Sequence, residues 1–237
     1  MDPTGGVLRL GRPGSRRLLF VPGFLGSPAG YRSLLAPLAV AGLEVVVVGL
    51  YRRGPRALLG HPSPAEEAML LESLCRRTRD EGRELWLAGH SRGGQVAWRA
   101  AGAVPPDGLA LVDPVDGAGP RTRPDASRTA PHGLRRTLVV GAARGGRCAP
   151  ERLGHRAFAA ADPRAWHAAV DDCGHADVLD GWERALGRRL CGGGREPDAA
   201  RTTVTALLRA YLDDALPADP AATGFQPAGA TVPVAWD

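Results

Sequence analysis

The chain has 237 residues, and its 30 cationic side chains are all arginine; Lys, Asn and Ile do not occur. This excludes Schiff-base and Walker-type lysine chemistry, and every cation is a guanidinium that stays charged at any workable pH. Hydrophobic residues make up 44 %, enough to bury the core of one α/β domain, and the net charge of +5 comes from scattered arginines without a basic run, which argues against nucleic acid as a partner.

The first ten residues show no signal-peptide core, and no long Arg/Ser-rich transit segment precedes the first apolar run. No apolar stretch reaches the roughly 18 residues of a membrane span. The sequence therefore reads as a soluble mature domain over residues 1–216, followed by an Ala/Pro-rich tail, 217–237, that is expected to fray. Cys75, Cys148, Cys173 and Cys191 have no CxxC spacing, so no zinc site is expected.

Short apolar runs alternate with amphipathic stretches, the pattern of a mostly parallel central sheet with helices on both faces. Residues 17–21 read as a buried strand ended by Pro22-Gly23. Ser27-Pro28 then starts a helix, with Tyr31, Leu34, Leu35 and Leu38 at helical spacing. Residues 44–48 form the next strand, and their four consecutive valines predict burial on both faces. Residues 50–62 read as a loop. Ser63-Pro64-Ala65-Glu66 is a capping box that opens a helix running to about Arg79.

Residues 85–88 are a strand that runs into Gly89-His90-Ser91-Arg92-Gly93-Gly94, and a helix carrying Val96, Ala97 and Ala100 follows. Residues 109–112 are a strand ending at Asp113. The stretch 114–133 has no periodicity and reads as a long loop. Residues 137–140 and 166–170 are further strands, and residues 198–216 the final helix.

Gly-x-Ser-x-Gly between a strand and a helix is the nucleophile elbow of an α/β-hydrolase fold. The sharp turn forces the serine into a strained backbone conformation and lifts its oxygen clear of the sheet, while the glycines admit neighbouring backbone. This identifies Ser91 as the candidate nucleophile. The order Ser, acid, His selects His175, in a Gly-containing loop after the last core strand. His61, His132, His155 and His167 lie in loops, helix starts or a strand, and His90, within the elbow, is expected to point away from the nucleophile. Asp113, at the end of the strand after the nucleophile helix, is the favoured acid; Asp116 and Glu151 remain alternatives. The backbone N–H groups of Phe24, after the first central strand, and of Arg92 are the candidate oxyanion hole. Such a mechanism needs no metal or organic cofactor.

Three segments carry a more specific resemblance: Val112-Asp113-Pro114-Val115-Asp116-Gly117, Cys148-Ala149-Pro150 and Gly174-His175-Ala176-Asp177-Val178-Leu179-Asp180. With Arg92 in the elbow, they make the chain resemble chlorophyllases from about residue 16 to 216. The resemblance implies a Ser–His–Asp esterase that cleaves the phytyl ester of chlorophyll to chlorophyllide and phytol. It also implies chloroplast localisation, with chlorophyll or a related phytylated pigment as substrate and peripheral contact with a thylakoid or envelope membrane. A general lipase or carboxylesterase, and an inactive pigment-binding module, are the rival functions. Two features depart from the family pattern. Pro22 stands where the oxyanion turn usually has His, and the spacing from Ser91 to Asp113 is shorter than in plant members, which keeps Asp116 open. Cys148 and Cys191 resemble family positions, which implies a disulfide between them; Cys173 sits where an aromatic is usual. For so apolar a substrate, Tyr51, Leu58 and Leu59 and the segment 114–133 are expected either to flank the pocket or to be ordinary solvated connections.

Overall fold

A computed structural model describes residues 6–24, 26–40, 42–51, 60–117, 123–219 and 224–236. Its strands are β1 (Val7–Leu10), β2 (Arg16–Val21), β3 (Leu43–Val48), β4 (Glu84–His90), β5 (Gly108–Val112), β6 (Thr137–Arg144), β7 (Trp166–Gly174) and β8 (Val234–Trp236). They form one sheet in the order β1-β3-β2-β4-β5-β6-β7-β8. The pairings from β3 to β7 are parallel, while β1 and β8 close the two edges antiparallel. The helices are α1 (Arg32–Leu35), α2 (Pro64–Asp80), α3 (Arg92–Ala103), α4 (His155–Ala161), α5 (Gly181–Cys191) and α6 (Pro197–Leu212).

The strands read as continuous apolar runs because both faces are covered. Side chains alternate across a strand. Val45 and Val47 thus join one core with Leu34, Leu35, Leu207 and Tyr211, while Val46 and Val48 join the other with Leu71, Val96 and Trp98. The capping box forms as expected: the Glu66 N–H donates to Ser63 Oγ at 3.2 Å, and the Ser63 N–H to Glu66 Oε2 at 2.7 Å.

Several expectations are corrected. Residues 28–38 are two short 3₁₀ turns around the single turn of α1, because Pro37 has no N–H for the helical ladder and its ring crowds the preceding turn. Tyr31, Leu34, Leu35 and Leu38 are nevertheless all buried. β7 runs nine residues, to Gly174 and not to residue 170, so His175 follows it directly. The final helix stops at Leu212, and Asp214 takes a positive φ of 58° just beyond it. The tail does not simply fray: its Val234 pairs with Val170, and the Trp236 Nε1–H donates to the Phe225 carbonyl at 2.7 Å. The sequence reading missed the short elements β1, α4 and β8, and also α5, which runs eleven residues. No helix among the described residues is long and apolar enough to cross a membrane.

Candidate active site

The elbow depends on its glycines. A Cβ on Gly89 would fall under 3.0 Å from the Gly93 carbonyl, and one on Gly93 under 3.0 Å from the Val21 carbonyl. α3 therefore starts against the backbone of β4 and β2, and no larger residue fits. Ser91 sits at φ 56°, ψ −126°, a strained geometry for a non-glycine residue. Its amide donates to the Val112 carbonyl at 3.0 Å, and its carbonyl accepts from the Val115 amide at 3.2 Å. The strain is thus held from both sides.

Three side chains contributed by three strand ends meet here. Ser91 Oγ lies 2.9 Å from His175 Nε2, and His175 Nδ1 lies 2.6 Å from Asp113 Oδ2. Asp113 has φ 38° and is clamped by its own backbone: its amide donates to the Val140 carbonyl at 2.6 Å, and its Oδ1 accepts from the Ala142 amide at 3.1 Å. Burial works against its negative charge. The hydrogen bond and charge of His175, then the charge of His155 and the Ala142 amide, outweigh it and hold the carboxyl below the usual carboxylate range.

The other two candidate acids lie apart from this line. Asp116 is fully buried and accepts from Gln95 Nε2 at 2.7 Å, from the Asp125, Ala126 and Ser127 amides and from Ser127 Oγ. Burial alone would raise its pKa, but these bonds, Ser127's foremost, pull it below normal. It anchors the loop after β5. Glu151 is exposed, in a 3₁₀ turn before α4.

His90, to which the sequence assigned no role, turns toward the His175 loop. It is fully buried, with Nδ1 2.7 Å from Tyr31 Oη and Nε2 2.9 Å from the His175 carbonyl. The carbonyl requires a proton on Nε2, so Nδ1 accepts from the Tyr31 hydroxyl, which in turn accepts from the Gly23 amide at 2.8 Å. Burial, followed by repulsion from His175, lowers the His90 pKa to about 3, so this ring stays neutral. Burial likewise raises the Tyr31 hydroxyl well above its ordinary value. The relay links the 22–24 turn to the backbone of His175. Only its period, with Tyr31 on a buried face, was legible in the sequence.

The same turn borders Ser91. A Cβ on Gly23 would come 3.1 Å from Ser91 Cβ. Phe24 exposes most of its ring and packs edge-on against Tyr51, with centroids 4.8 Å apart. The Arg92 amide begins α3 beside Ser91, while its guanidinium turns away to Glu67, at 3.1 Å, and to the Pro62 carbonyl, at 2.6 Å, beneath the Tyr51 ring. Tyr51 stacks on His61 at 3.8 Å. A shallow crevice is lined by Pro22, Gly23, Gly26, Leu50, Tyr51 and Arg92. Leu58 and Leu59, expected at the rim, lie outside the described residues, as do residues 118–122 of the segment after β5. The described part of that segment packs on α3, where Trp98 Nε1 donates to the Ala126 and Thr129 carbonyls.

The His175 loop is held by Asp177. Its Oδ2 accepts from the Gly174 and Gly194 amides, both at 2.7 Å, and its Oδ1 pairs with Arg188. Cys148 and Cys191 are joined in a disulfide, which fastens the loop after β6 to the end of α5. Cys75 and Cys173 are buried thiols. Among the described residues no cluster of three or more His, Cys, Asp or Glu side chains is placed to hold a metal.

This sheet, with an elbow serine, a histidine and an aspartate at its strand ends, is the α/β-hydrolase fold. Solved structures with the same fold include a ferulic acid esterase from Streptomyces cinnamoneus (20 % identical, 95 % of this chain and 74 % of that one, TM-score 0.64). Esterase 2 from Thermogutta terrifontis matches at 18 % identity, over 88 % of each chain, with TM-score 0.62. A chlorophyllase family model matches residues 16–225, and the chain belongs to the chlorophyllase family. Relatives include chlorophyllase-1, chloroplastic, from Citrus unshiu (29 % identical over 83 % of this chain and 67 % of that protein). Chlorophyllase-2 from Arabidopsis thaliana is 32 % identical over 54 % of this chain. The match spans only 49 % of the Arabidopsis protein's length.

Proposed function

We propose that the chain is a serine esterase that hydrolyses the phytyl ester of chlorophyll, or of a related pigment, to the free acid and phytol. The observation that carries this reading is the hydrogen-bonded line Ser91–His175–Asp113 in a chlorophyllase-family chain. His175 Nε2 takes the Ser91 proton as Oγ attacks the ester carbonyl. Asp113 accepts from Nδ1–H, fixes the tautomer and stabilises the imidazolium. The Phe24 and Arg92 amides donate to the oxyanion. Collapse of the tetrahedral intermediate breaks the ester C–O bond, and His175 returns the proton to phytol as it leaves. Water, deprotonated by His175, then cleaves the acyl-enzyme and regenerates Ser91.

Pro22 stands where the family usually has His, but the proposed donors are backbone amides, which a change of side chain at position 22 does not remove. The proposed setting is the chloroplast, at a thylakoid or envelope membrane, where the pigment resides. The test is product analysis after incubation with chlorophyll and with pheophytin, comparing the wild type with Ser91→Ala. Release of phytol by the wild type alone is the expected result. Intact pigment alongside rapid hydrolysis of a p-nitrophenyl ester would instead identify a general carboxylesterase, and binding of pigment without any hydrolysis an inactive carrier.

A further inference from the structure

Among the described residues, three of the six large apolar side chains that are clearly exposed lie on α5: Trp182 (64 % exposed), Leu186 (43 %) and Leu190 (56 %). Their spacing of i, i+4 and i+8 puts them in one stripe about 12 Å long. The other exposed residues of α5 are Gly181, Ala185 and Arg189, so this face carries a cation and no acid. Exposed Arg147 adds a second cation near the end of the stripe, being next to Cys148, which is bonded to Cys191.

The opposite face of the helix is fully engaged. The Asp180 amide donates to the Gly30 carbonyl at 2.8 Å, the Ser33 amide to Asp180 Oδ2 at 2.8 Å and the Ser27 amide to Glu183 Oε2 at 2.9 Å. Arg184 pairs with Asp198, and Arg188 with Asp177. The stripe is therefore held rigidly outward. Its helix is sewn to the turn that follows exposed Phe24, and it begins six residues after His175.

We infer that the outer face of α5 docks the enzyme on an anionic lipid bilayer, with the mouth of the active site beside it. A tryptophan and two leucines flanked by arginine match the headgroup–acyl boundary, where an indole sits at headgroup level and guanidinium pairs with lipid phosphate. A second copy of the chain fits less well. Three apolar side chains fall far short of the roughly 20–30 residues per side of a stable interface, and a symmetric contact would bring Arg189 toward its own counterpart. The inference deepens the esterase reading, and rests on it only in taking the bilayer as the place where the ester is met.

Flotation of the full chain with vesicles reads docking without turnover. The protein is expected to float with phosphatidylcholine vesicles containing phosphatidylglycerol, less with pure phosphatidylcholine, and less as salt is raised. The triple substitution Trp182→Ser, Leu186→Ser, Leu190→Ser, and Leu186→Ser alone as a milder variant, should lose flotation while keeping the helical CD spectrum and turnover of a soluble p-nitrophenyl ester. Arg189→Gln should bind less and lose part of the salt dependence. Wild type that stays unbound at low salt, or a folded triple variant that floats equally well, would overturn the inference. So would a wild-type dimer that the triple variant dissociates. Protein that floats but leaves chlorophyll intact would sink the substrate reading and spare this one.

Discussion

The carbonyl oxygen of His175 lies 2.9 Å from Nε2 of His90, so the residue before the proposed nucleophile holds the proposed base by its backbone. The two rings lie 4.7 Å apart between centroids, one kept neutral by burial and the other bonded to Asp113. Because the Tyr31 hydroxyl joins His90 to the Gly23 amide, the 22–24 turn and the His175 loop are tied to one relay.

Tyr31→Phe keeps the buried ring and removes only the link. It leaves the Gly23 amide and His90 Nδ1 without a partner, which should cost about 1–3 kcal/mol of stability. If the relay positions the turn and the loop, kcat falls with KM nearly unchanged. Thermal melts and steady-state kinetics on a p-nitrophenyl ester separate the two effects. A stability loss with kcat unchanged would assign Tyr31 to packing alone.

The two aspartates after β5 should behave differently. Asp113→Asn presents an amide to His175 Nδ1 and favours the wrong tautomer, so kcat should drop on the order of 10⁴-fold in a folded protein. Asp116→Asn leaves the Ser91–His175–Asp113 line intact but breaks charge-assisted bonds to the 125–127 backbone. It should lower stability by about 1–3 kcal/mol with little change in kcat per folded molecule. Near-normal turnover by Asp113→Asn would remove it from the mechanism.

His90 also predicts a pH dependence. Its pKa falls from 6.5 to about 3 on folding, so the unfolded chain binds a proton that the folded one refuses. The stability from this group is fully present above about pH 6.5 and is lost as pH falls toward 3, at a slope of up to about 1.4 kcal/mol per pH unit. Asp113 and Asp116, with lowered values, add losses of the same sign at lower pH, through the carboxylate range. Urea titrations from pH 7 to 4 should therefore show a steady decline that His90→Gln flattens. An unchanged slope in that variant would refute the assignment.

The Cys148–Cys191 bridge closes a loop across 43 residues. Replacing both cysteines with alanine should cost about 2–4 kcal/mol, mainly by freeing the unfolded chain. Differential scanning calorimetry of the double variant, beside the reduced wild type, measures it. Equal melting temperatures with and without reductant would show that the bridge contributes nothing to stability.

The sequence alone is enough to single out Ser91 as the candidate nucleophile, because the elbow is local. Gly89 and Gly93 are required by contacts within a few residues and by one neighbouring strand, and their spacing is visible in any register. The buried strands and the α2 cap were legible for the same reason: period and capping chemistry act over one or two turns. His175 and Asp113 came from their order along the chain, and the segments around them resembled the family. The choice between Asp113 and Asp116, three residues apart, was beyond periodicity. Only the sheet, by pairing β5 with β6 and β6 with β7, brings Asp113 to His175 and leaves Asp116 bonded to the 125–127 loop. The Tyr31–His90 relay, the outward stripe of α5 and the edge strand β8 were likewise decided by tertiary structure, since each joins residues far apart in the chain through contacts that leave no local pattern.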